Sequence, residues 1–239
     1  MGADALPATN GAHREEPVPA GKLVAWAVLV TALIALAYTA NAASPGPPDN
    51  DVLYQYSTAI AAAVQYALML AIVLAISRGL SRETLGFRRP GSWPGALGLT
   101  LAGVAGIWAA GAILNVFLKA GEEQGLVPDG WDSARAGAFA ANFVVIAIVA
   151  PIVEETTYRG LGYAAVSSAF GSWAAILVTG IAFGLSHGLV VGLPVLSLFG
   201  VILAALRWRA GSLYPPIILH AVFNAVALIA AVTFNGGGL

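Results

Sequence analysis

The chain of 239 residues is 59% hydrophobic and only 10% charged, with a mean hydropathy of +0.82. Soluble domains carry about a quarter charged residues, so this composition excludes an ordinary soluble fold and points to a membrane-embedded helical bundle. A net charge of −1 excludes a nucleic-acid-binding surface, and the absence of cysteine excludes disulfide frameworks, thiol nucleophiles and Cys-ligated zinc.

Residues 1–21 are rich in Ala, Pro, Gly and Glu without apolar periodicity and read as a disordered N-terminal tail. Residues 22–239 read as a single transmembrane domain of all-α class. A bilayer core of about 30 Å takes about 20 apolar residues of helix, and about seven runs approach that length. The first is Leu23 to about Ala43, closed by Ser44-Pro45-Gly46-Pro47-Pro48. Ala40-Asn41-Ala42 resembles a signal-peptide cleavage site, but the long preceding tail with Glu15 and Glu16 favours an uncleaved helix. About Val52 to Ile76 and about Trp93 to Leu118 follow, then a polar loop from Lys119 to Arg135. The fourth run goes from about Gly137 past Arg159, the fifth from about Ser172 to Val190, and the sixth, which is short, from Leu193 to Leu206. The seventh covers Leu213 to Phe234; an eighth span would have to fall within residues 160–195.

Arg14 and Lys22 precede the first span, Arg78, Arg82, Arg88 and Arg89 fill the second loop, and Arg207 and Arg209 precede the seventh span. The positive-inside rule puts all three segments, the N-terminus among them, in the cytoplasm. Arginine outnumbers lysine nine to two and alanine is abundant, a bias common in GC-rich bacterial genomes, so the expected site is a bacterial inner membrane.

An ionisable side chain in hydrocarbon costs about 2.5–3.5 kcal/mol, so each one inside a span is a functional candidate. The candidates are Glu154, Glu155, Arg159, His187 and His220; only one further histidine exists, His13 in the tail. Glu155 and Arg159 are one turn apart on one helical face and can pair. Glu154 faces about 100° away with no evident local partner, which makes it the candidate general base. Pro151 cannot donate its hydrogen bond and should disturb the helix just before the pair. Phe183 lies one turn before His187, with Gly184 and Ser186 allowing close helix contact. Ser186 points away from its neighbour and is a poor nucleophile candidate. Ser212 is placed to cap the last span, on which His220 and Asn224 stack one turn apart, two donors able to hold a developing oxyanion. Each pair alone is better explained by an interhelical clasp; three together favour chemistry.

Glu154-Glu155-xxx-Arg159, Phe183-xxx-His187 and His220-xxx-Asn224, in this order on separate helices, resemble the motifs of the CPBP family, the CAAX-prenyl-protease and bacteriocin-processing (Abi) group of intramembrane peptidases. The resemblance covers roughly residues 135–235; Ala210 and Tyr214 stand where the family often has Thr and Trp. It implies an intramembrane endopeptidase; the sequence holds no HExxH, no GxGxxG placed after a strand and no P-loop, so no cofactor is expected. Glu154 would activate a water with help from His187, His220 and Asn224 would hold the oxyanion, and Glu155, Arg159 and Phe183 would orient the site. The partners implied are membrane lipid and a peptide or protein substrate, expected from the cytoplasmic leaflet; the residues set no oligomeric state. Other readings are a zinc peptidase with Glu154, His187 and His220 as ligands, a non-catalytic immunity or scaffold protein, and a transporter, which the lack of internal repeats disfavours. The spacing carries one tension: Glu154 and His220 fall at mid-membrane or to its cytoplasmic side, His187 several residues further out.

Overall fold

The computed structural model describes residues 17–43, 51–118, 128 and 130–234. Most of the expected tail and most of the 119–135 loop lie outside them. The described residues contain seven principal helices and no strand: α1 (Ala20–Ala43), α2 (Tyr56–Ile76), α3 (Trp93–Leu118), α4 (Ser133–Phe170), α5 (Ser172–Leu185), α6 (Leu193–Ala210) and α7 (Tyr214–Phe234). Five are long and apolar enough to cross a membrane, and α3 and α5 are apolar as well. Their outward faces carry Val28, Ile60, Leu68, Leu101, Leu177, Val222 and Ile229, all strongly exposed. Water does not tolerate such a surface over a whole bundle, but lipid tails do. The chain is an integral membrane protein.

Two boundaries differ from the sequence reading. The fifth run ends as a helix at Leu185 rather than Val190, so α5 is about 21 Å long, short of a full crossing. It pairs with α6 as a tight hairpin whose tip, residues 186–192, packs against Ala37, Tyr38 and Asn41 of α1 and leaves Val190 exposed. The sixth run, in turn, extends to Ala210, where Gly211 takes the left-handed conformation (φ 62°) that ends a helix cheaply only in glycine.

Close approach in the α5–α6 hairpin depends on missing side chains. A Cβ on Gly180 would sit 2.6 Å from the Val201 backbone nitrogen, and one on Gly200 would strike the Gly180 carbonyl. The small-xxx-small spacing of Gly180 and Gly184 is what lets backbones meet in lipid, where no hydrophobic drive presses helices together. α1 belongs to the bundle too. Its Trp26 is buried, donates its indole N–H to the Thr157 carbonyl at 3.0 Å, and fills the space a Cβ on Gly162 would take.

α4 is continuous but not uniform: residues Val145–Val149 and Thr156–Gly162 are π-helical. The first π segment explains how Pro151 is accommodated. The Ala150 N–H reaches back to the Val145 carbonyl, five residues away, and Pro151 has no N–H to offer. The Ile146 carbonyl therefore loses its helical donor and is left for another group to satisfy.

Gly180→Ala should lower stability by about 1–3 kcal/mol, because the clash is with backbone and not with a movable side chain. A reduced midpoint of thermal unfolding in detergent, with Gly21→Ala unchanged in open space, would show it.

Candidate active site

α4 presents Glu154, Glu155 and Arg159 to the middle of the bundle. Glu155 and Arg159 are fully buried and paired at 2.9 Å, Arg159 Nη1 to Glu155 Oε1. Arg159 Nη2 donates to the Gly200 carbonyl at 2.7 Å, and its guanidinium lies 4.6 Å from the Phe183 ring centroid. Two buried charges survive in hydrocarbon only when paired and hydrogen-bonded like this.

His220 reaches the same carboxylate from α7. Its Nδ1 lies 2.9 Å from Glu155 Oε1, which can only accept, so Nδ1 carries the proton and Nε2 faces the other way. There Nε2 comes within 3.7 Å of Glu154 Oε2. Phe183 and Phe199 meet the imidazole edge-on, at 5.6 and 5.1 Å between centroids, and fix its plane.

Glu154 is not partnerless. Tyr66, at the middle of α2, donates its phenol O–H to Glu154 Oε1 at 2.6 Å. The sequence reading missed Tyr66, since a tyrosine in an apolar run carries no penalty that would mark it. Its neighbour Gln65 was the available hint, as the pair interrupts an otherwise apolar stretch.

His187 sits just past the end of α5, in the turn of the hairpin tip. Its Nδ1 is 2.8 Å from the Phe183 carbonyl, which again must accept, leaving Nε2 free for the cavity. Ser186 donates to the same carbonyl at 2.8 Å and is thereby engaged, as expected of a non-nucleophile. The tip is held by α1: Tyr38 O–H donates to the Leu189 carbonyl at 3.1 Å and Asn41 to that of Gly188 at 3.1 Å. Asn224 supplies the group missing in α4, donating Nδ2–H to the orphaned Ile146 carbonyl at 2.9 Å. Its amide has a second N–H.

The tension in depth dissolves. Gly160 packs against Leu213, so α7 begins well inside the protein and not at its surface. Glu154 lies six residues from Gly160 along α4, and His220 seven residues beyond Leu213 along antiparallel α7, about 9 and 10 Å in the same direction. Fourteen residues of α5 and the tip turn carry His187 to their level.

Glu154, His187, His220 and Asn224 line one cavity of about 420 Å³, together with Tyr66, Phe199 and Phe223. A second chamber of about 270 Å³ shares Tyr66, Glu154 and His187 and runs between α1 and α2 past Leu33, Ala37, Ala40 and Gln65. Glu155, Arg159 and Phe183 close the wall behind. The structure thus brings together every site residue the sequence singled out. Among the described residues, however, no three His, Asp or Glu side chains cluster closely enough to hold a metal. Glu154, His187 and His220 share a cavity without forming the preformed three-ligand site that zinc uses.

Residues 136–226 match a protein family described as type II CAAX prenyl endopeptidase Rce1-like. This segment belongs to that family. It is the CPBP group that the motifs resemble, and the match spans α4 to the middle of α7. No curated protein and no solved structure matches the chain. Every ionisable residue of the cavity except Tyr66 falls within the Rce1-like segment; α1 and α2 lie outside it.

Arg159→Ala would strand the Glu155 carboxylate in a dry interior and should cost roughly 3–5 kcal/mol. Loss of folded protein after detergent extraction, or a much lower unfolding midpoint, is the expected reading.

Proposed function

We propose that the protein is an intramembrane endopeptidase that hydrolyses a polypeptide with a water activated by Glu154, without a bound cofactor. The observation that carries this reading is the meeting of a carboxylate, two imidazoles and an amide from three helical elements in one otherwise apolar cavity.

Each role follows from what its neighbours leave free. Glu154 Oε1 is held by Tyr66, so Oε2 is the oxygen that takes the proton as water adds to the scissile carbonyl carbon. His187, with Nδ1 committed to a backbone carbonyl, offers Nε2 as a lone pair that orients the same water. The carbonyl π electrons move to oxygen, and the oxyanion is met by the second Asn224 N–H and by His220. His220 keeps Nδ1–H on Glu155, so it donates from Nε2 by entering the cycle as imidazolium, and it holds that proton throughout. Collapse of the tetrahedral species breaks the C–N bond, and the proton held by Glu154 passes to the leaving amine. One water is consumed and one acid and one amine are formed. Glu155 and Arg159 touch no reacting atom; they position His220.

Purified protein in detergent, offered quenched fluorescent peptides with and without a prenylated CAAX end, tests this. Glu154→Gln should lower turnover at least ~100-fold while the unfolding midpoint holds. Tyr66→Phe removes one hydrogen bond to a carboxylate and should lower turnover about tenfold. Equal turnover in wild type and Glu154→Gln would end the hydrolytic reading, and unimpaired cellular function of that variant would point to a binding role. Stoichiometric zinc, with chelator-sensitive cleavage restored by zinc, would replace the proposed water activation by a metal-assisted one.

A further inference from the structure

The bundle has two unlike ends. At one gather Lys22, Arg78, Arg82, Arg88, Arg89, Arg207 and Arg209, with the Lys22 ammonium donating to the Arg78 carbonyl at 2.8 Å. Trp173 and Trp208 stack beside them, their centroids 5.2 Å apart, where an interfacial belt would lie. At the other end, among the described residues, the basic side chain is Arg135, which pairs with Asp51 at 2.9 Å and with Asp132 at 2.6 Å. Its hydrogen bond holds the Asp132 carboxyl below the usual aspartate range, so this end carries no surplus of positive charge.

The cavities respect this polarity. Below Glu154, towards the arginine-rich end, Tyr158, Arg159, Leu161, Leu203, Arg207 and Leu213 are buried to 1% exposure or less and close the floor. Above it, the larger chamber follows α7 from His220 to Ala231, about 16 Å of helix, and α4 from Glu154 back to Ile146. Both stretches run away from the arginines. The smaller chamber climbs α1 from Leu33 to Ala40 in the same direction, and at its lower end reaches Met69 and Tyr158, about one turn towards the arginines.

We propose that this site takes its water and its polypeptide substrate from the face opposite the arginine cluster, which the positive-inside rule makes the extracytoplasmic face. This rests on the hydrolytic reading above for the word substrate, and it reverses the cytoplasmic-leaflet entry expected from the sequence. Two features support it: the sealed floor beneath the carboxylates, and a larger chamber that lengthens away from the arginines along both α4 and α7. The substrate class is then a peptide segment displayed at, or exported to, the outer half of the bilayer.

The chain has no cysteine, so single thiols report access without background. Ala150→Cys and Ala227→Cys place a thiol in the larger chamber on two different helices, while Arg82→Cys and Ser133→Cys mark the two ends. Each variant is expressed in a bacterial host and exposed to a charged, membrane-impermeant methanethiosulfonate, in right-side-out spheroplasts and in inverted vesicles. Modification is read as lost shift with a polyethylene glycol maleimide after denaturation. Expected is near-complete modification of both chamber thiols and of Ser133→Cys in spheroplasts, with Arg82→Cys modified only in inverted vesicles. Chamber thiols modified from the Arg82 side, or spared from both sides while reactive once denatured, would overturn the proposal. So would Arg82→Cys reacting in spheroplasts. Peptide cleavage in detergent has no sidedness, so failure here leaves the hydrolytic reading standing, and the converse holds for an inactive but correctly labelled protein.

Discussion

The Glu155 carboxylate, buried without exposed surface, is the group around which this bundle is organised. Left alone in hydrocarbon it would cost several kcal/mol, so the fold must bring it cations and donors. Arg159 comes from one turn along the same helix and His220 from a different one, both on the same oxygen. Arg159 is then itself tied to the Gly200 carbonyl, on the hairpin whose closeness depends on Gly180. A single desolvated charge thereby fixes α4, α6 and α7 relative to one another. It also fixes the tautomer of His220, and with it which nitrogen the cavity receives.

A second constraint originates in Pro151. A proline inside a membrane helix removes a donor that lipid cannot replace. Here the helix widens to a π turn before the proline, and the deficit lands on the Ile146 carbonyl. Asn224 crosses from α7 to satisfy it, so the amide lies at the cavity because the Ile146 carbonyl, four residues before Ala150, holds it there. One N–H of that amide serves the backbone, and the other is left to the cavity.

The expensive residues were legible in the sequence, because placing charge and imidazole in an apolar run has a cost that only pairing or function repays. The Glu155–Arg159 pair, the ring of Phe183 beside His187 and the stacking of His220 with Asn224 follow from one-turn spacing alone. What pairs across helices did not. That His220 would choose Glu155, and Tyr66 Glu154, depends on helix rotation and depth, neither of which a 3.6-residue period supplies. Depth in particular is not set by a hydropathy run, because the residue before α7, Leu213, is fully buried. The loop at Leu85 and Gly86 folds inward and receives Leu213, its N–H on the Gly86 carbonyl at 2.8 Å. Similarly, a hydropathy run carried on to Leu189 and Val190 cannot tell that α5 stops at Leu185, since Ser186, His187 and Gly188 interrupt it too briefly to break the average.

The motifs occupy residues 136–226, yet that segment does not complete its own site. The phenol that holds Glu154 belongs to α2, and the two hydrogen bonds that hold the turn after His187 belong to α1. α1 also fills the notch at Gly162 with Trp26, bracing the π segment that carries Arg159. The smaller chamber is walled by these same two helices. The two parts of the chain therefore divide the site between them: the motif helices supply every ionisable group of the larger cavity except Tyr66. The N-terminal pair holds Glu154 and the turn after His187 in place and walls the smaller chamber. Substitution in α1 or α2 can retune the site with every motif residue intact.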